Sequence, residues 1–181
     1  MSFTIRKAAM DDCAAIEHLI RLSARGLSAE YTASQVEAAL LGAFGVDTVL
    51  IADQTYFIAE GGALIVGCGG WSKRKTLFGG DSHTSRDSAL LDPMNEAAKI
   101  RAFFVHPAWA RQGIARTILH ACEAEAAAHG FTSLELMSTL PGVKLYSACG
   151  FEKLEPVKYT LSRGVEIEFV PMRKKLPRGM F

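Results

Sequence analysis

Long apolar runs are missing from these 181 residues: none approaches the roughly 18 consecutive apolar residues that a membrane-spanning helix needs, so no membrane partner is expected. Charge of one sign is scarce as well. Twenty Lys and Arg face nineteen Asp and Glu, leaving a formal +1, whereas a nucleic-acid binder carries a clustered basic excess. The candidate basic patch, Arg173-Lys174-Lys175 with Arg178, reads as a solvated strand end and tail. Cysteines are few: Cys13, Cys68, Cys122 and Cys149 show no CxxC spacing, which argues against a disulfide frame or zinc site and fits reduced thiols in a cytoplasmic protein. His18, His83, His106, His120 and His129 form no HxxxH or HExxH pair, so no metal centre is expected. No leader-like apolar segment opens MSFTIRKAAMDD, and secretion is not indicated.

What remains is an ordinary globular composition, 49% apolar, in a length that suits a single domain over residues 1–181. Residues 4–8 start as a strand, and Asp11-Asp12 read as the cap of a helix with Ile16, Leu19 and Ile20 on one face. A second helix is expected over 32–41 from Val36, Leu40 and Leu41. Gly61-Gly62 punctuates a hairpin of strands 56–60 and 63–71. Residues 73–96 are then polar and irregular, with Gly79-Gly80, Asp81, Ser82, Ser85 and Pro93. A segment of that length is either a functional loop or a plain insertion. A strand over 99–105 ends at Pro107, and the helix after it turns Ile118, Leu119 and Cys122 inward and Glu123 and Glu125 to water before closing at His129-Gly130. Strand 133–138, a short helix over 142–149 and a final hairpin of 157–162 with 165–172 complete the chain.

The segment IRAFFVHPAWARQGIAR carries the most chemistry. It runs an apolar strand into a helix through Arg111, Gln112, Gly113, Ile114, Ala115 and Arg116. A helix N-terminus has N–H groups without internal partners and partial positive charge, so it suits a phosphate, and small residues let an anion come close. Neither GxxxxGK[ST] nor a GxGxxG after a strand is present, which removes both standard nucleotide fingerprints. By itself the junction fits an anion site and a merely well-packed helix start equally.

FFVHPAWARQGIARTIL resembles the acyl-CoA-binding segment of the GNAT superfamily of acetyl-CoA-dependent N-acetyltransferases, with Gly113, Ile114 and Ala115 on its pattern and Ala110 where Arg or Gln is usual. LYSACGFE, with Tyr146 four residues before Gly150-Phe151, resembles the family's later helix, although Thr139 stands where Asn is frequent. The strand before the long polar segment is a third, weaker match. The resemblance implies an α+β, three-layer fold: a twisted mixed sheet of six or seven strands, helices on both faces, and two splayed central parallel strands, 99–105 and 133–138. It also implies acetyl-CoA as cosubstrate, with its pantetheine arm along Phe103, Phe104 and Val105 and its pyrophosphate on the N–H groups of residues 111–116.

An N-acetyltransferase of this kind acts on a primary amine of a small molecule or protein. The amine must attack in neutral form, and an alkyl ammonium has a pKa near about 10.4. Glu135, Glu96, Asp92 and, less so, His106 are the candidates to take its proton. Under the resemblance the Phe104 N–H stabilises the thioester oxygen and Tyr146 protonates the leaving thiolate. Cys149 has no activating neighbour and a helix C-terminus raises a thiol's pKa, so a covalent acyl-enzyme is not expected. Trp71 and Lys73-Arg74-Lys75 are either part of the acceptor side or a solvated turn. A catalytically silent acyl-CoA-binding sensor is the alternative function, and the last strands allow a homodimer.

Overall fold

The computed structural model describes residues 2–83 and 86–177, so Ser85 of the polar segment and Arg178 of the basic tail lie outside the described residues. The order is β1 (Thr4–Lys7), α1 (Cys13–Gly26), α2 (Ala33–Ala39), α3 (Thr48–Ala52), β2 (Tyr56–Gly61), β3 (Leu64–Ser72), β4 (Ala98–Val105), α4 (Ile114–Ala128), β5 (Ser133–Thr139), α5 (Val143–Ala148), β6 (Glu152–Lys153), β7 (Val157–Thr160) and β8 (Glu166–Lys175). Eight strands make one sheet in the order β1-β2-β3-β4-β5-β8-β6, with β7 also on β8. That exceeds the expected six or seven because one edge of β8 serves two partners: β7 takes residues 166–169 and the two-residue β6 takes Met172 and Arg173. Among the described residues no helix is long and apolar enough to cross a membrane.

Two cores, one on each face of the sheet, give the three layers. On one face α1 buries Ile16, Leu19 and Ile20, the spacing of a single helical stripe, with Leu50 and Ile51 of α3 and with Tyr56, Ile58 and Cys68 from the sheet. On the other, α4 buries Ile118, Leu119 and Cys122 against Val66, Leu134 and Leu136. Each fully buried Leu or Ile contributes about 1.5–3 kcal/mol.

Local chemistry explains four departures from the sequence expectations. Asp12 accepts from the Ala9 N–H (2.7 Å) and is gripped by Arg6, so it closes the turn Met10–Asp12 instead of capping α1. α3 is an addition: Thr48 and four apolar residues show no helical period, and the helix starts because Asp47 accepts from the Leu50 N–H (3.4 Å). α2 stops before Leu41, which is exposed, so Val36 and Ala39 hold its inner face. Glu123 and Glu125 are only half-buried and are engaged, the first with Lys174 (2.7 Å), the second with Lys7 and with the indole N–H of Trp71 (2.9 Å).

Among the described residues β4 and β5 are the only parallel neighbours, and they soon part. They pair at Ala98↔Leu134 and Lys99↔Glu135; beyond that, β4 runs on to Val105 and β5 to Thr139 without a shared register. On its other side β4 stays on β3 but slips register between Cys68 and Gly70, and Ala102 takes a left-handed φ of +57°. This bulge twists the strand just where β5 leaves it. Gly67 of β3 lets α4 close over the gap, since a Cβ there would overlap Ile114 Cγ2 at the first turn of α4.

Candidate active site

A cavity of about 330 Å³ fills the space between the parted strands. β4 supplies one wall over residues 100–105, and β5 and α5 supply the other through Met137, Thr139, Leu145 and Tyr146. Ala110, Arg111 and Ala115 stand at one end. At the other end Phe44 and Phe169 meet Leu77, Phe78 and Gly79, so the long polar segment is a wall of the cavity.

The α4 end has the attributes of an anion cradle. Arg111 and Gly113 both adopt left-handed φ, +65° and +85°, which swings the chain from the strand into the helix. Thr117 is the first residue whose N–H reaches back, to the Gly113 carbonyl (2.9 Å), so the N–H groups of Ile114, Ala115 and Arg116 have no intrahelical acceptor. No atom comes within 4 Å of where a Gly113 Cβ would stand, and Arg111 and Arg116 are exposed. An approaching diphosphate would meet main chain and two cations.

Along β4 the alternation of the ladder decides which amides face the cavity. His106 donates to the Val66 carbonyl (2.9 Å) and Val105 donates to Ser23 Oγ (3.1 Å), on opposite sides of the strand. Phe104, registered with Cys68, therefore presents its N–H to β3, and the expectation that this N–H faces the thioester is corrected. Val105 has the right side but its N–H is taken by Ser23, a buried hydroxyl of α1. Phe103 is different. The Ala102 carbonyl accepts from Tyr56 Oη (3.1 Å) and from the Cys68 thiol, and a trans peptide turns the Phe103 N–H the opposite way.

Tyr146 lies on α5 with its ring edge-on to Phe103 and Phe151, at centroid distances of 6.2 and 5.7 Å. Burial pushes its phenol well above the ordinary value, so it is protonated at neutral pH. Cys149, half-buried at the end of the same helix, does not line the cavity.

None of the four candidate bases reaches this space. Glu135 is bound to Lys99 across the last paired rung of β4 and β5, because the register that precedes the splay sets them side by side. Glu96 accepts from the Asp92 N–H (2.8 Å), Asp92 accepts from Met94 and Asn95, and His106 accepts from the Ala108 N–H. Trp71 is fully buried against α4 and Arg74 pairs with Asp53 (2.7 Å), so neither borders the acceptor end.

The structure adds Arg101, the second of two charges in the otherwise apolar β4, Lys99 being the other. It is 4% exposed, lies 2.5 Å from the carboxylate of fully buried Asp47, and donates to the Gly79 carbonyl (2.6 Å). Arg86 also binds Asp47 (2.9 Å), so this network ties the long loop to β4. Burial lowers the Arg101 pKa and Asp47 opposes that shift.

Residues 89–176 match the family model of the acetyltransferase (GNAT) domain. No curated protein matches the chain. Among solved structures it is similar to a GCN5-related N-acetyltransferase from Rhodopseudomonas palustris, at 19% identity over 97% of both chains with a TM-score of 0.71. It is also similar to PaiA N-acetyltransferase from Thermoplasma acidophilum in complex with coenzyme A, at 15% identity over 97% of this chain and 99% of that one, TM-score 0.64. A phosphinothricin acetyltransferase from Sinorhizobium meliloti in complex with acetyl-CoA aligns at 16% identity over 99% of this chain and 91% of that one, TM-score 0.66. Likeness at these identities speaks for the fold, and the domain match speaks for residues 89–176: the chain has the fold of GNAT N-acetyltransferases, and its second half matches the acetyltransferase (GNAT) domain.

Proposed function

We propose that this chain transfers the acetyl group of acetyl-CoA to a primary amine of a small molecule or protein by direct attack within a ternary complex. The observation that carries the reading is the parting of β4 from β5 after two rungs, beside a helix N-terminus whose amides are unpaired and whose approach is clear at Gly113. In this reading Ile114, Ala115 and Arg116 hold the pyrophosphate by their N–H groups, with Arg111, Gln112, Gly113 and the Arg116 side chain around it. The pantetheine arm lies along residues 103–105, with Phe103 and Val105 turned to it.

The acetyl carbonyl then lies near the bulge, where the Phe103 N–H is the donor placed to stabilise the oxygen as it gains charge; such donors are worth roughly 3–4 kcal/mol. The amine nitrogen bonds the carbonyl carbon, the C–S bond breaks with its electron pair going to sulfur, Tyr146 gives its proton to the sulfur, and the proton lost by the nitrogen passes through water to restore the phenol. The Tyr146→Phe variant is expected to lose about 100-fold in kcat, the lower range for a general acid, with acetyl-CoA affinity unchanged. Initial-rate lines that intersect when both substrates are varied support direct attack. Parallel lines, or loss of activity in Cys149→Ala, would overturn it in favour of an acyl-enzyme.

A second reading has one observation on its side. Neither a carboxylate nor a histidine is among the residues that line the cavity. A catalytically silent acyl-CoA sensor needs no base, and tight acetyl-CoA binding with no thiol release across an amine panel would establish it.

A further inference from the structure

The acceptor end of the cavity is aromatic, and among the described residues no carboxylate lines it. Phe104, Phe44, Phe169 and Phe78 form one wall, with centroid distances of 5.8 Å from Phe44 to Phe104, 6.4 Å from Phe44 to Phe169 and 5.6 Å from Phe169 to Phe78. They come from β4, the α2–α3 connection, β8 and the long loop. The wall is braced from behind, because Tyr159 meets Phe78 edge-on at 4.6 Å and Arg101 holds the neighbouring Gly79 carbonyl. Charged groups lining the cavity are Arg101 and Arg111, both cations, the second at the phosphate end.

An alkyl ammonium entering this space would be stripped of water with no free carboxylate to pair with, since Asp47 is engaged by Arg101 and Arg86, and that is a heavy penalty. Among the residues that line the space there is also no carboxylate or histidine to take its proton; His83 packs on Phe78, ring centroids 4.9 Å apart, without lining the cavity. An amine that is already neutral in water meets neither obstacle, and an aromatic body would stack within the wall.

We propose that the acceptor is an arylamine, a small aromatic molecule whose amino nitrogen is uncharged at neutral pH, seated against Phe44, Phe78 and Phe169. This rests on the acetyl-transfer reading above and names its substrate class. The nitrogen lone pair forms the new C–N bond, the C–S bond breaks with its electron pair going to sulfur, sulfur takes one proton from Tyr146, and the weakly basic nitrogen releases one to water, which restores the phenol. The chain supplies position and an oxyanion donor, and the substrate supplies the neutral nucleophile.

Aniline and benzylamine test this, since they share a ring and differ in charge at pH 7. Thiol release from acetyl-CoA by the full chain is followed with each, with hexylamine and with spermidine, and acetyl-CoA binding is measured separately by calorimetry. The expected result is a kcat/KM for aniline at least about tenfold above benzylamine at pH 7 and level between pH 7 and 9, while the benzylamine value climbs with pH as its free base accumulates. Phe78→Ala should raise the aniline KM about tenfold and leave acetyl-CoA affinity as it was, as expected for loss of one stacked contact. Benzylamine or spermidine outrunning aniline at pH 7 overturns the substrate class and leaves the acetyl-transfer reading standing. Acetyl-CoA bound with no turnover of aniline also overturns it. Absence of acetyl-CoA binding overturns the earlier reading itself.

Discussion

Replacing Gly113 by alanine and by glutamate separates what this residue does for folding from what it does for the coenzyme. Its φ of +85° is the left-handed region, and no atom lies within 4 Å of a Cβ placed there. Alanine therefore adds backbone strain alone, about 1–2 kcal/mol. In a chain of this length 1 kcal/mol moves Tm by about 2–4 °C, so both variants should melt about 2–8 °C below the parent and near each other. Coenzyme binding should separate them. A methyl group leaves most of the approach to the α4 amides open, whereas a carboxylate fills it and repels the diphosphate. Hydrogen bonds to charged groups contribute about 1.5–3 kcal/mol each, so losing two of them weakens binding by about 3–6 kcal/mol, more than a hundredfold. Scanning fluorimetry gives the first quantity and calorimetric titration with acetyl-CoA the second. A Gly113→Glu protein that melts with the alanine variant yet binds acetyl-CoA like the parent would refute the placement of the pyrophosphate at α4.

Asp47→Ala should destabilise the fold by about 3–5 kcal/mol, because Arg101 and Arg86 would then share a buried site without their carboxylate; denaturant unfolding measures it, and a change below about 1 kcal/mol would show the network to be unimportant. The pH dependence follows from Asp12 and Asp53, whose carboxyls are held below the usual range by hydrogen bonds from Arg6 and Arg74 respectively. A carboxyl whose folded pKa lies under the unfolded value of about 3.9 stabilises the fold above that pH and loses the contribution as pH falls through the folded value. Urea midpoints should thus be level from about pH 7 to 5 and fall below about pH 4, with a shallower fall in Arg74→Met. Equal slopes in parent and variant would remove the Asp53 share.

Much of the fold is legible because its signals are periodic and local. Ile16, Leu19 and Ile20 mark the inner face of α1, Ile118, Leu119 and Cys122 that of α4, and Gly61-Gly62 the turn between β2 and β3. Elements too short to show a period are not legible in this way. Five residues of α3 and two of β6 form because tertiary partners receive them, the Asp47 carboxylate for one and the edge of β8 for the other. Glu123 and Glu125 mislead for a related reason: a helical wheel assigns them to water, but Lys174 and Trp71 come from distant strands to meet them.

The site divides along the same line between local and relational information. Residues 111–116 turn from strand into helix by their own backbone, with left-handed φ at Arg111 and Gly113, so this junction is legible in the sequence. Phe104 is misassigned because which side of a strand an amide faces depends on the partner's register, and a slip of one residue reverses it. Here the register is fixed by His106 on Val66, and the bulge at Ala102 then turns the Phe103 N–H away from the Tyr56 and Cys68 side of the strand. Glu135 fails as a base by the same logic, since the rung it shares with Lys99 is the last before the strands part. A residue earns a role here by standing beyond that rung. Arg101, Phe103 and Val105 do so on β4, and Met137 and Thr139 do so on β5. The chemistry available to the acceptor is therefore set by two strand ends and the loops that close over them, none of which bears a carboxylate toward the gap.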